Sequence, residues 1–124
     1  MGLDIKITKE EGTYIIVLNG SIDTETFTDL EEKLKNIFVE GVKAVVLDMA
    51  GVDFISSMGL GVIVWARKSA RRNNLSLTIT NLQPQIQKLF NLMKLAPNIH
   101  IHDQPEGDKY IAQIVKDEVE KRKN

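Results

Sequence analysis

Residues 43–74, "KAVVLDMAGVDFISSMGLGVIVWARKSARRNN", decide the fold. Lys43 to Gly51 is an almost continuous apolar run of strand length, the pattern of a strand buried on both faces of a sheet. The chain then passes two adjacent serines and enters an apolar segment with glycines on alternate positions, closed by "RRNN". Strand end, loop and helix is the reading, with residues 52–61 as the loop and either Ser56 or Ser57 as N-cap. Glycine costs roughly 1 kcal/mol relative to alanine inside a helix, so Gly59 and Gly61 ask for a reason. Bare positions at a helix start let a partner surface approach the backbone N–H groups and the positive end of the macrodipole.

Working outward, Ile5 and Ile7 and then "TYIIVLNG" (13–20) read as two strands joined by the turn "KEEG" into an antiparallel hairpin. With Asp23 or Thr24 as N-cap, Phe27, Leu30, Leu34, Ile37 and Phe38 recur at helical spacing and Gly41 closes that helix. Past the central segment, "LSLTIT" alternates as a strand, and Pro84 opens a helix whose face is Ile86, Leu89, Phe90 and Met93, read as core and stopped by Pro97. "IHIH" (99–102) is a short strand, and Ile111, Ile114 and Val115 stripe a final helix. The order β-β-α-β-α-β-α-β-α predicts an α/β fold: a mixed, mostly parallel sheet of about five strands covered by about four helices.

A chain of 124 residues, 43% of them apolar, is long enough for one core, so residues 1–124 are expected to form a single domain. Sixteen basic residues against seventeen acidic ones leave no electrostatic footprint for nucleic acid. No apolar run approaches the roughly 20 residues of a membrane span, and "MGLDIKITKEEG" carries charges where a signal peptide needs its apolar segment, so a cytoplasmic location without membrane insertion is expected. Zero cysteines exclude disulfides, thiolate metal sites and cysteine catalysis.

Other chemistry is thin. "GLG" at 59–61 has Val64 where a dinucleotide loop has its third glycine, and no Gly-x-Ser-x-Gly surrounds either serine. His100 and His102 share a strand face but lack a third histidine or a thiolate for a metal. Arg67, Lys68, Arg71 and Arg72 form a basic cluster that could meet an acidic partner or a phosphate, although cations at a helix C-terminus also oppose its dipole. Trp65 reads as partly buried against a neighbouring helix.

"VVLDMAGVDFISSMGLGVIVWARKSARRNN" resembles the signature of STAS domains, in particular the bacterial anti-sigma factor antagonists: a strand, Phe or Tyr, an apolar residue, Asp-Ser-Ser/Thr-Gly-Leu, then an apolar helix. "NGSIDTET" (19–26) resembles the family's Gly-Glu-Leu/Ile-Asp segment, and "NLQPQIQKLFNLMKLAPNIHIHD" (81–103) its later helix and strand, so the resemblance spans about Ile5 to Val119. It implies a protein-binding regulator, not an enzyme, with no cofactor of its own. The unphosphorylated domain would bind an anti-sigma factor that is itself a serine kinase, freeing the sigma factor. Phosphorylation would break that complex, and a PP2C-type serine phosphatase would restore it. Ser57 matches the phosphoacceptor, with Ser56 the alternative, and Asp23 the acidic residue beside it; Gly59 and Leu60 match the Gly-Leu that opens the helix. Ser21, Asp23, Thr24, Ser56, Ser57, Met58, Gly59, Leu60 and Gly61 form the implied partner surface, and a monomer is expected. Ser56 stands where the family usually has Asp, Met58 where it has Ser or Thr, and Ser21 where it has Glu, making the patch less acidic and more apolar. A STAS docking subunit of a transporter or signalling complex, without phosphorylation, is the alternative; a small serine hydrolase is the third.

Overall fold

The computed structural model describes residues 2–95 and the strand at 100–102. The elements are β1 (Leu3–Glu10), β2 (Thr13–Ile22), α1 (Phe27–Ile37), β3 (Ala44–Ile55), α2 (Ser57–Arg72), β4 (Ser76–Thr80), α3 (Pro84–Leu92) and β5 (His100–His102). They build one sheet in the order β1-β2-β3-β4-β5, antiparallel between β1 and β2 and parallel elsewhere. The hairpin turn is only Glu11-Gly12, both at positive φ (49° and 82°), the two-residue geometry whose twist matches the flanking strands.

The expectation of about five strands under about four helices is corrected. Four strands of five to twelve residues are joined by an edge strand of three residues, and the described residues hold three helices. β5 pairs only with Thr78–Thr80. The predicted helix at Ile111, Ile114 and Val115, with Pro97 and Ile99, lies outside the described residues.

Strand order follows chain order, so each crossover steps in one direction and its right-handedness places every helix on the same face. That face is one apolar cluster, in which Ile16, Leu18, Val45, Leu47, Met49 and Ile79 of the sheet meet Leu30 and Leu34 of α1, Ile63 and Ala66 of α2, and Ile86 and Phe90 of α3. The opposite face carries a second buried set, Ile15, Val17, Ala44 and Val46. Burial on both faces is why Ala44–Met49 reads as a continuous apolar run broken only by Asp48. Asp48, fully buried, accepts hydrogen bonds from the Ala50 N–H (3.0 Å) and Asn81 Nδ2 (3.2 Å), tying β3 to the turn after β4.

Local boundaries depart from the sequence reading in three places. α1 begins at Phe27 rather than directly after Asp23 or Thr24, because the Asp23 carboxylate organises a turn of its own first. The helix ends at Ile37, and Gly41 (φ 95°) sits in the following turn. Met93, expected in the core, is 53% exposed because α3 ends at Leu92 and the chain turns away from the apolar face. Trp65 is half-buried as expected, stacked on Phe38 of α1 with centroids 5.7 Å apart.

Candidate functional site

The parallel pairing of β2 and β3 sets the site. Two register shifts, between Val17 and Asn19 and between Gly20 and Ser21, let β3 keep pace with β2 to its end, so that Ser21 lies opposite Phe54 and Ile22 opposite Ile55. The Ser56 N–H then donates to the Ile22 carbonyl (2.8 Å), and α2 starts at the next residue. The loop expected over 52–61 is therefore not a loop. Strand pairing extends to Ile55, helix begins at Ser57, and Ser56 alone connects them.

This single-residue connection divides the work of the two serines. Ser56 is the N-cap, extended in backbone (φ −83°, ψ 172°), with Oγ accepting from the Gly59 N–H at 3.1 Å. Ser57 is exposed, and its hydroxyl makes no hydrogen bond among the described residues. The Leu60 N–H bonds to the Ser56 carbonyl, which leaves the Ser57 and Met58 N–H groups at the open tip. No acidic residue lies in the first turn of α2, so the positive end of its dipole has no carboxylate of its own there.

Beside the tip, residues 21–26 form a hydrogen-bonded turn. The Asp23 carboxylate accepts from the Glu25 N–H (2.9 Å) and the Thr26 N–H (3.1 Å), and the one proton of the Thr26 hydroxyl is shared between the Ser21 carbonyl (2.7 Å) and that carboxylate (3.2 Å). The Glu25 N–H foremost holds the Asp23 carboxyl below its ordinary range by stabilising the charged form; desolvation opposes it next in size, and the Thr26 hydroxyl and N–H add to the lowering. Buried Ser21 donates to Asp53 Oδ1 (3.1 Å), and Thr24 is exposed on the same turn.

The two glycines have different reasons. A Cβ at Gly59 would lie 2.7 Å from Ile22 Cγ2, 2.8 Å from Ile55 Cγ1 and 2.9 Å from the Ile22 oxygen. Gly59 is thus buried where the helix start seats on the strand ends, and the expectation that it is kept bare for a partner is corrected: its own core demands it. Leu60 is buried beside it. Gly61 is exposed, and a Cβ there would meet nothing within 4 Å. Nothing among the described residues explains its missing side chain.

Phe54, 52% exposed, was missed in the sequence reading of the surface; with Met58, 48% exposed, it puts two large apolar side chains on either side of the serines along the chain. Strict strand alternation would put Phe54 on the same face as buried Val52; the extra residue Asp53, at the register shift between Gly20 and Ser21, reverses the side chain's direction, and nothing local in the sequence signals that shift. His100 and His102 stand opposite Thr78 and Thr80 in β5. No group of three or more candidate metal ligands occurs among the described residues.

A model of the STAS domain family matches residues 4–106. The chain belongs to the STAS domain family. Within the STAS fold just described, the match runs from β1 through β5 and includes both serines. The anti-sigma-B factor antagonist of Staphylococcus aureus is 27% identical over 103 residues, which cover 83% of this chain and 95% of that protein. Among solved structures, an anti-sigma factor antagonist from Mycobacterium paratuberculosis superposes with a TM-score of 0.74 at 18% identity, covering 90% of this chain and 92% of that one. The Bacillus cell fate determinant SpoIIAA in its phosphorylated form superposes with a TM-score of 0.68 at 16% identity, covering 90% and 99%. No helix among the described residues of this STAS domain is long and apolar enough to cross a membrane.

Proposed function

We propose that this chain is an anti-sigma factor antagonist that docks through the amino end of α2 and is switched by phosphorylation of Ser57. The observation that carries the reading is the division between the serines: Ser56 is consumed as N-cap, and Ser57 presents an uncommitted hydroxyl at the exposed helix tip. The Staphylococcus aureus relative and the Mycobacterium paratuberculosis structure described above are both named as this class of regulator. The docking surface comprises Asp23 and Thr24 of the preceding turn, the exposed side chains of Phe54, Ser57 and Met58, and the bare position Gly61. Ser21, Ser56, Gly59 and Leu60 support it from beneath. The chain acts by binding and needs no cofactor; ATP and Mg²⁺ belong to the anti-sigma factor, a serine kinase, and a PP2C-type phosphatase resets the serine.

A phosphate adds about −1.5 to −2 charges. At the first position of α2 the macrodipole and the two free N–H groups tolerate it, so the domain stays folded while its surface changes. A partner docked there must then desolvate or repel that charge, which can cost several kcal/mol. A penalty of about 3 kcal/mol is roughly a hundredfold in affinity.

The test is binding of a purified anti-sigma factor to Ser57→Asp and Ser57→Ala, with mass-spectrometric mapping after incubation of wild-type protein with that factor and ATP. Ser57→Ala binds like wild type, Ser57→Asp binds at least tenfold more weakly, and phosphate appears on Ser57. Equal affinity of the two variants refutes the switch. Phe54 and Met58 favour one second reading, docking without phosphorylation, since apolar contacts carry affinity with the serine unmodified. Undiminished binding with no phosphate on either serine selects it.

A further inference from the structure

At the other end of α2 lies a cavity of about 450 Å³, between the last two turns of the helix and the start of β4. Arg67, Arg71, Asn74 and Ser76 supply its polar lining, over a floor of the buried side chains Ala70, Leu75 and Leu77. Arg67 and Arg71 are one helical turn apart, which puts their side chains on the same face. The Arg67 Nε is buried and has no hydrogen-bond partner among the described residues. No carboxylate pairs with either arginine among the described residues.

The helix dipole accounts for part of this cluster only. Its influence falls off within the last turn, where Arg71 and Arg72 sit, and Arg67 is a further turn back. The Nε itself is closed to solvent, so it is the rest of the Arg67 side chain that lines the cavity, with its charge paired to no carboxylate among the described residues. Three of the last four carbonyls of the helix are engaged, which limits the negative potential they turn on the cavity. Ser69 O accepts from the Asn73 N–H and Nδ2, Ala70 O from the Leu75 N–H, and Arg71 O from the Asn74 N–H.

We propose that this cavity binds a small phosphate-bearing molecule, held by the guanidinium groups of Arg67 and Arg71 with Asn74 and Ser76 as neutral partners. Two cations without a counter-charge among the described residues match a dianion, and guanidinium forks suit the oxygen spacing of phosphate. A single carboxylate would leave one cation uncompensated. The volume falls within the usual span of small-molecule sites, about 300–1,000 Å³. This site is separate from Ser57 and does not depend on the antagonist reading.

The experiment is an NMR titration of the full chain with inorganic phosphate, and separately with citrate, at fixed ionic strength. Phosphate should give saturable amide shifts concentrated at Ala70, Asn74, Leu75, Ser76 and Leu77. Arg67→Gln should weaken the apparent Kd at least tenfold and Arg71→Gln at least threefold, while Lys88→Gln on α3 leaves it unchanged. Urea midpoints of the variants establish that they fold; Arg71 is exposed, so its replacement provides the informative arm should Arg67→Gln unfold. Shifts that spread over the basic surface without saturating, insensitivity to both arginine replacements, or saturable binding of citrate alone would each overturn the proposal.

Discussion

Replacing Gly59 and Gly61 separately by alanine puts two positions of one helix under opposite pressures. At 59 the new methyl group would sit 2.7–2.9 Å from Ile22 and Ile55 atoms, including the Ile22 oxygen that receives the Ser56 N–H. Carbon contacts are favourable at about 3.5–4.0 Å, so the helix start must retreat by roughly 1 Å or both isoleucines must leave their rotamers. Overpacking of this kind costs about 1–3 kcal/mol, and alanine's helix propensity returns at most about 1 kcal/mol. The net expectation for Gly59→Ala is a loss of about 1–2 kcal/mol, or a fall in Tm of about 4–8 °C. At 61 there is no contact within 4 Å, so only the propensity acts, and Gly61→Ala gains up to about 1 kcal/mol. Urea unfolding at constant m value reads both. If the open space at 61 serves a partner, Gly61→Ala also weakens anti-sigma factor binding while stabilising the fold. A Gly59→Ala protein as stable as wild type would refute the seating of α2 on the strand ends.

Ser56→Ala removes the N-cap and should cost about 1 kcal/mol in urea unfolding while leaving Ser57 the residue modified; phosphate on Ser57 lost only in that variant would show that the cap positions the acceptor. The Asp23 carboxyl titrates below its ordinary value, near 3.9 in an unfolded chain. Its folded-state contribution is therefore fully present above that ordinary value and lost as pH falls through the lower folded one. Amide exchange at Glu25 and Thr26 should accelerate only in that acid window, and Asp23→Asn should make exchange there fast already at neutral pH; unchanged protection in the variant would contradict the turn's dependence on the carboxylate.

The sequence by itself determined the alternation of strands and helices through β4 and α3, the opening hairpin and the serine-glycine turn. Those readings rest on periodicity, capping chemistry and φ preference, which act within a few residues. The family's motif likewise marked Ser57, Asp23 and Gly59 together. Tertiary structure decided what each of them is for. Pairing of β3 with the end of β2 is non-local, and it alone extended the strand to Ile55, erased the expected loop and made Ser56 rather than Ser57 the cap. Packing against Ile22 and Ile55 assigned Gly59 to the core and left Gly61 to the surface, a difference invisible in a string where both are single letters two positions apart. The same holds for Arg67, whose Nε is buried and unpartnered among the described residues, a placement that helical spacing does not specify.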